Sequence, residues 1–132
     1  MMKRMISRSS WVIALILLSL ATPASRAADY YVSPSGNDTW TGKLPAPNAA
    51  KTDGPLATLA KARDVVRAEL KGAGAGQVHT VNVRGGLYEI TSTLKLTKAD
   101  SGTADAPVTY RAYQNEQPVL IGGSAITNFT TY

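Results

Sequence analysis

Residues 79–126 decide the fold, and they read HTVNVRGGLYEITSTLKLTKADSGTADAPVTYRAYQNEQPVLIGGSAI. Within this stretch four runs are rich in Val, Ile, Leu, Thr or Tyr: residues 80–83, 87–90 continuing to 93–96, 108–113 and 119–121. Turn-forming residues bound each run, and no helical period connects them. Short strands separated by turns predict a mainly β body, either coiled or sandwiched.

Residues 56–71 (LATLAKARDVVRAELK), just before the β-rich stretch, are predicted to form an amphipathic helix. Leu59, Ala62, Val66 and Leu70 recur at helical spacing as one apolar stripe, and Thr58 is suited to cap the start. An isolated helix of this length is marginal, so we expect the stripe to lie on another surface. Acids interrupt the basic residues outside the stripe, which predicts a solvated face and not a polyanion-binding one: Lys61, Asp64, Arg67, Glu69 and Lys71.

The first 27 residues have the pattern of an export signal. Basic residues precede an apolar run at residues 11–21 (WVIALILLSLA), and Ser25 and Ala27 supply small side chains at the expected cleavage site. The apolar run is short for a membrane span, which needs roughly 20 residues. We therefore expect cleavage after Ala27, a secreted or periplasmic protein and no membrane association afterwards. The alternative is an uncleaved N-terminal anchor.

The charge and the cysteine count exclude several classes of function. The formal net charge is +5, and the signal region carries four basic residues and no acid, so the mature chain is close to +1. That balance gives no electrostatic argument for nucleic-acid binding. The chain has no Cys and one His, which excludes a disulfide framework, thiolate metal sites and a histidine-rich zinc site.

Turn-forming residues dominate the region between the signal and the helix. After an apolar run at residues 30–32, the cluster at Asn37 and Asp38 is expected to close a turn. A Ca²⁺ loop using Asp38 and Asp53 is the alternative, but no EF-hand spacing is present, and we predict no metal site in this chain. Trp40 lies in this polar loop and is the candidate for contact with a glycan, because aromatic rings can stack on sugars.

No catalytic residue is predicted within this chain. A glycosidase needs two carboxyl groups roughly 5–9.5 Å apart, and most of the mature acids fall in turns or on the helix face. Glu89 is the one acid inside a predicted strand, whereas Asp100 and Asp105 flank a corner. His79 starts a strand with no identifiable partner, so we expect an ordinary exposed or edge histidine.

Five ordered motifs carry a resemblance to a known family. They are YYVSPSGND (30–38), GPLATLAKARDVVR (54–67), VNVRGGLYEITSTLKLT (81–97), SGTADAPVTYRAY (101–113) and PVLIGG (118–123). Together they resemble the N-terminus of secreted right-handed parallel β-helix proteins of the pectate-lyase-like superfamily. The resemblance implies the start of such a coil, with the helix capping its open end. Terminal repeats of a solenoid need that protection.

The resemblance also implies a domain plan and a function. Residues 28–77 would form the N-terminal strand, loop and capping helix, and residues 78–132 the first, incomplete rungs. Relatives with this opening include glycoside hydrolases and polysaccharide lyases, which implies a polysaccharide or oligosaccharide partner. Their catalytic groups and Ca²⁺ ligands lie on later rungs that have no matching positions here. Two alternatives remain: a non-catalytic module that binds carbohydrate or a cell surface, and an inactive fragment, since solenoids need about three repeats for stability.

Overall fold

The computed structural model describes residues 27–123. The predicted signal lies outside these residues except for Ala27, as do residues 124–132. The described part contains five strands, one α-helix and one short 3-10 helix: β1 (Ala28–Val32), α1 (Leu59–Lys71), β2 (His79–Val83), β3 (Gly86–Glu89), the 3-10 helix (Lys98–Asp100), β4 (Val108–Ala112) and β5 (Pro118–Ile121). None of its helices is long and apolar enough to cross a membrane.

All the strand pairs in this part of the chain are parallel. Strands β1, β2 and β4 form one sheet with β2 in the centre, and β3 pairs with β5 in a second sheet. His79 faces Val108 and Gly86 faces Pro118, which are steps of 29 and 32 residues along the chain. From β2 and β3 onward, each sheet adds one parallel strand at a nearly equal step, which fits the start of a parallel β-helix. The prediction of a mainly β fold is confirmed.

One apolar cluster joins the sheets and the helix. Tyr30, Val32, Val81 and Val83 point inward from neighbouring strands, and Tyr88 joins them from β3. The helix contributes three buried side chains to the same cluster: Leu59, Ala62 and Val66. Leu70 is partly buried against it. The predicted apolar stripe therefore does lie on the strands, as expected for an amphipathic helix that is marginal alone.

The helix begins at Leu59, three residues after the predicted start. Thr58 is the N-cap, and its hydroxyl oxygen accepts a bond from the Lys61 amide at 3.1 Å, as predicted. Leu56 lies before the helix and makes an isolated parallel bridge with Val32. Its side chain is fully buried, so it belongs to the core although it is not helical.

Gly86 forms the corner between the two sheets. Its φ of 130° is disfavoured for residues with a side chain, and a Cβ there would lie 2.7 Å from Cγ of Pro34. The Tyr88 hydroxyl is within hydrogen-bond distance of the carbonyl oxygens of Val32, at 3.0 Å, and Arg84, at 2.8 Å. The chain therefore turns sharply at Gly86 as it passes from the first sheet to the second.

The predicted strand at residues 93–96 is wrong. This segment forms no strand, and Leu96 is 55% exposed whereas Leu94 packs partly against the core. The carbonyl oxygen of Lys95 accepts a bond from an Arg63 terminal nitrogen at 3.3 Å instead of joining a sheet. Alternation of apolar and polar residues predicts a strand only where a neighbouring strand completes the hydrogen bonds.

We expect Leu56→Ala to lower the free energy of unfolding by about 2–5 kcal/mol, because it leaves a cavity beside Val32. The matched control is Leu96→Ala, which removes the same atoms from a largely exposed site and should change stability by less than about 0.5 kcal/mol. Urea denaturation of the three proteins measures both. Equal losses would contradict the assignment of Leu56 to the core.

Candidate functional site

Two loop acids that were considered as Ca²⁺ ligands are bonded to the protein itself. Asp38 accepts bonds from the amides of Ala57 at 2.8 Å and Thr58 at 3.0 Å, so it holds the loop against the start of α1. Asp53 accepts a bond from the Thr41 amide at 2.8 Å, which helps to lower its pKa. Within residues 27–123 no group of three or more His, Asp or Glu side chains is arranged to hold a metal ion.

Asp100 is buried at the corner that it was predicted to flank. Its two carboxylate oxygens lie 2.6 Å from Nε and 2.7 Å from a terminal nitrogen of Arg67. Only 4% of its side chain is exposed. Bonds from Arg67 hold the pKa of this carboxyl well below its usual range, and bonds from Thr97 act in the same direction. Arg67 keeps 28% of its side chain exposed but is bound to Asp100, so it is not simply part of a solvated helix face.

A second ion pair fixes the corner after β2. Arg84 binds the Glu116 carboxylate through Nε at 2.9 Å and a terminal nitrogen at 2.8 Å. The Gly85 amide donates to the same carboxylate at 2.6 Å. These bonds lower the pKa of Glu116, with Arg84 the largest cause. Asp38, Asp53, Asp100 and Glu116 thus all hold loops and corners together.

His79 is completely buried, so the expectation of an exposed or edge histidine is wrong. It lies in the central strand of the three-stranded sheet, and its Nε2 is 3.0 Å from the carbonyl oxygen of Gly74. Its ring stacks on Tyr30 with 6.2 Å between centroids. These contacts give His79 a packing role.

Trp40 is half-buried in the loop before α1. A Cβ at Gly54 would lie 2.7 Å from ring atoms of Trp40 and 2.9 Å from the Pro47 backbone. The indole therefore covers a glycine, and part of its surface serves to pack this loop. The remaining exposed part is what the predicted glycan contact would use.

The structure sorts the tyrosines into two groups. Tyr30 and Tyr88 are core residues, and burial is the main reason why the pKa of each is raised to about 12. Tyr110 points inward from β4 and is half-buried. Tyr31 and Tyr113 lie on the outer side of the three-stranded sheet, so they are the tyrosines that could meet a ligand there.

The outer face of this sheet carries a row of polar and aromatic side chains. The strands pair without a shift, so Tyr31 lies beside Asn82, and Asn82 lies beside Arg111. Alternate residues of a strand share a face, which adds Asp29 to the same side. No sequence motif indicated that Asp29, Asn82 and Arg111 would share this face, because they are far apart in the chain.

Asn82 links a carboxylate to a guanidinium. It is only 3% exposed, its Nδ2 donates to Oδ1 of Asp29 at 3.2 Å, and its Oδ1 accepts a bond from Nε of Arg111 at 2.9 Å. Asp29 and Arg111 are themselves exposed. The buried amide therefore holds an exposed carboxylate and an exposed guanidinium in fixed positions on either side of it.

These side chains line a cleft of about 410 Å³, called the sheet cleft below. Tyr31 and Tyr113 meet edge to face in it, with 5.6 Å between ring centroids. Partial burial and then the nearby Asp29 carboxylate raise the pKa of Tyr31. The polar and aromatic lining is Asp29, Tyr31, Asn82, Arg111, Tyr113 and Gln114. The cleft can offer hydrogen-bond donors, acceptors and aromatic surface to one ligand.

Two curated proteins are similar in sequence to this chain. It is 38% identical over 118 residues to a protein named pectate lyase PEL9 from Emericella nidulans, a match that covers 89% of this chain and 23% of that protein. It is 32% identical over 121 residues to the uncharacterized protein YwoF from Bacillus subtilis, covering 91% of this chain and 21% of that one. The chain thus spans less than a quarter of the length of either relative.

A solved structure named glycoside hydrolase is similar in fold. The TM-score is 0.65 at 29% sequence identity, over 80% of this chain and 16% of that structure. No family model matches the chain. Each similarity covers most of this chain but less than a quarter of the other protein.

The Arg67–Asp100 pair should make stability depend on pH. Because the folded pKa of Asp100 is lowered, its contribution is present above the unfolded value of about 3.9 and is lost as pH falls below it. We expect Asp100→Asn to unfold at a lower temperature than the wild type at pH 6 and to lose less on acidification. Thermal melts between pH 6 and pH 2.5 test this, with the exposed Asp105→Asn as control. A wild-type acid dependence in Asp100→Asn would contradict it.

Proposed function

We propose that this chain is the N-terminal part of an exported parallel β-helix protein that acts on polysaccharide as a lyase or a glycoside hydrolase. The observation that carries the proposal is the stack of unshifted parallel strands beneath one helix. It occurs in a chain that is similar over 89% of its length to a protein named pectate lyase. The basic and apolar pattern of residues 1–27 supports export.

The packing supports a capping role for α1. Its buried side chains cover one side of the cluster formed by Tyr30, Val32 and Val81, which would otherwise meet water at the first rung. On β5, Leu120 lies beside the buried Tyr88 yet is 52% exposed. Further rungs would cover Leu120 and the side chains that point inward beside it. In this proposal the reacting groups lie on those further rungs.

Expression of the complete reading frame that contains these residues tests the proposal. The purified product should shorten at least one plant or algal polysaccharide. A lyase would leave an unsaturated sugar that absorbs ultraviolet light, whereas a hydrolase would produce new reducing ends without it. A folded product that degrades no member of a panel of acidic and neutral polysaccharides would contradict the proposal.

A carbohydrate-binding role without catalysis is the second candidate, and the half-exposed indole of Trp40 favours it. Trp40→Ala should then weaken retention of the chain in a gel containing polysaccharide by about tenfold, equivalent to about 1.4 kcal/mol. Trp40→Phe, which keeps an aromatic ring over Gly54, is the matched control. Retention unchanged in Trp40→Ala would reject a glycan contact at this residue.

A further inference from the structure

We propose that the sheet cleft is a binding site for an uncharged sugar unit of a polysaccharide, separate from the loop that holds Trp40. The inference rests on the proposed function, because it takes the ligand to be a polysaccharide. It adds a site that no sequence motif indicated, on the outer face of β1, β2 and β4.

The cleft has unused hydrogen-bonding groups on both sides of Asn82. Arg111 uses Nε for the Asn82 oxygen, and within residues 27–123 its two terminal nitrogens bond to no other side chain or backbone group. Asp29 uses Oδ1, and its Oδ2 has no bonded partner in the same part of the chain. A sugar hydroxyl both donates and accepts, so neighbouring hydroxyls can bond to this carboxylate and this guanidinium together.

Asn82 also prepares the site before a ligand arrives. Its amide is buried and bonded at both ends, so Asp29 and Arg111 are already oriented. Little side-chain freedom is then lost on binding, which reduces the cost of association. The volume of about 410 Å³ falls within the range of small-molecule sites and suits one sugar unit with its neighbours extending into solvent.

Two tyrosine rings add aromatic surface to the polar groups of the sheet cleft. Tyr31 and Tyr113 are both half-buried beside the polar row, and the guanidinium of Arg84 lies 5.0 Å from the Tyr113 ring centroid. That cation covers part of Tyr113, so we assign the contact with the apolar face of the sugar to Tyr31. A rigid ring with one polar end offers such contact at low entropic cost.

The charges favour an uncharged ligand over a uronate. Asp29 and Arg111 carry opposite charges within the cleft, and Arg84 at its border is already neutralised by Glu116. A carboxylated sugar would gain attraction from Arg111 but would meet repulsion from Asp29. The cleft has no net charge to attract an acidic chain, so hydroxyl recognition dominates.

Affinity electrophoresis of the full chain in gels containing xylan, galactan or polygalacturonate tests the inference. We expect retention by at least one of the two neutral polymers that exceeds retention by polygalacturonate. Tyr31→Ala and Arg111→Ala should each weaken it by about tenfold, equivalent to about 1.4 kcal/mol. Tyr31→Phe should keep most of it, and the exposed Lys95→Ala, outside the cleft, should match the wild type. Thermal melts verify that each variant folds.

Several outcomes would overturn the inference: no retention by either neutral polymer, stronger retention by polygalacturonate, or wild-type retention in both alanine variants. If Trp40→Ala loses retention while Tyr31→Ala keeps wild-type retention, binding belongs to the loop and the inference is overturned as well. The proposed function has a different readout, which is degradation by the complete protein. Cleft-dependent retention without degradation rejects that function alone, whereas degradation without cleft-dependent retention rejects this inference alone.

Discussion

The unshifted parallel pairing of β1, β2 and β4 is the constraint on which the rest of the structure depends. Because each residue faces its counterpart in the next strand, inward side chains form continuous apolar rows and outward side chains form continuous polar ones. The inward rows give α1 a surface on which to bury its stripe. The outward rows bring Asp29, Asn82 and Arg111 together. A shift of one residue in either pairing would exchange the two faces and remove both features.

Two ion pairs in the described part of the chain fix the segments that connect strands. Arg67 and Asp100 join α1 to the short 3-10 helix, and Arg84 and Glu116 join the corner after β2 to the turn before β5. A buried carboxylate is tolerated only with such a partner, which explains the bidentate geometry at Asp100. The acids of these pairs are therefore committed to structure, which agrees with placing the chemistry of the proposed function on other rungs.

The proposed function and the sheet cleft concern different parts of one architecture. A parallel coil grows by adding rungs, so a long coil can carry reacting groups far from its first strands while the first strands keep their own outer face. Binding of a polymer at such a face would raise the local concentration of substrate along the coil. The neutral charge balance at Asp29 and Arg111 suggests that this face and a distant reacting site need not prefer the same sugar.

The sequence by itself determined the features that depend on short-range periodicity. The apolar stripe from Leu59 to Leu70, the Thr58 cap and the β-rich runs that form β2 and β4 were all predicted, because each depends on residues close together in the chain. The mainly β fold followed from the same patterns and from the family resemblance.

Only the tertiary structure decided which distant residues meet. The bonds of Asn82 to Asp29 and Arg111 span 53 and 29 residues, and that of Arg67 to Asp100 spans 33. His79 is buried because β1 and β4 flank its strand, whereas residues 93–96 alternate correctly yet pair with no strand among residues 27–123. Local propensity limits which structure a segment can form. Burial, ion pairs and the sheet cleft depend on register and on neighbouring strands, and these exist only once the strands are stacked.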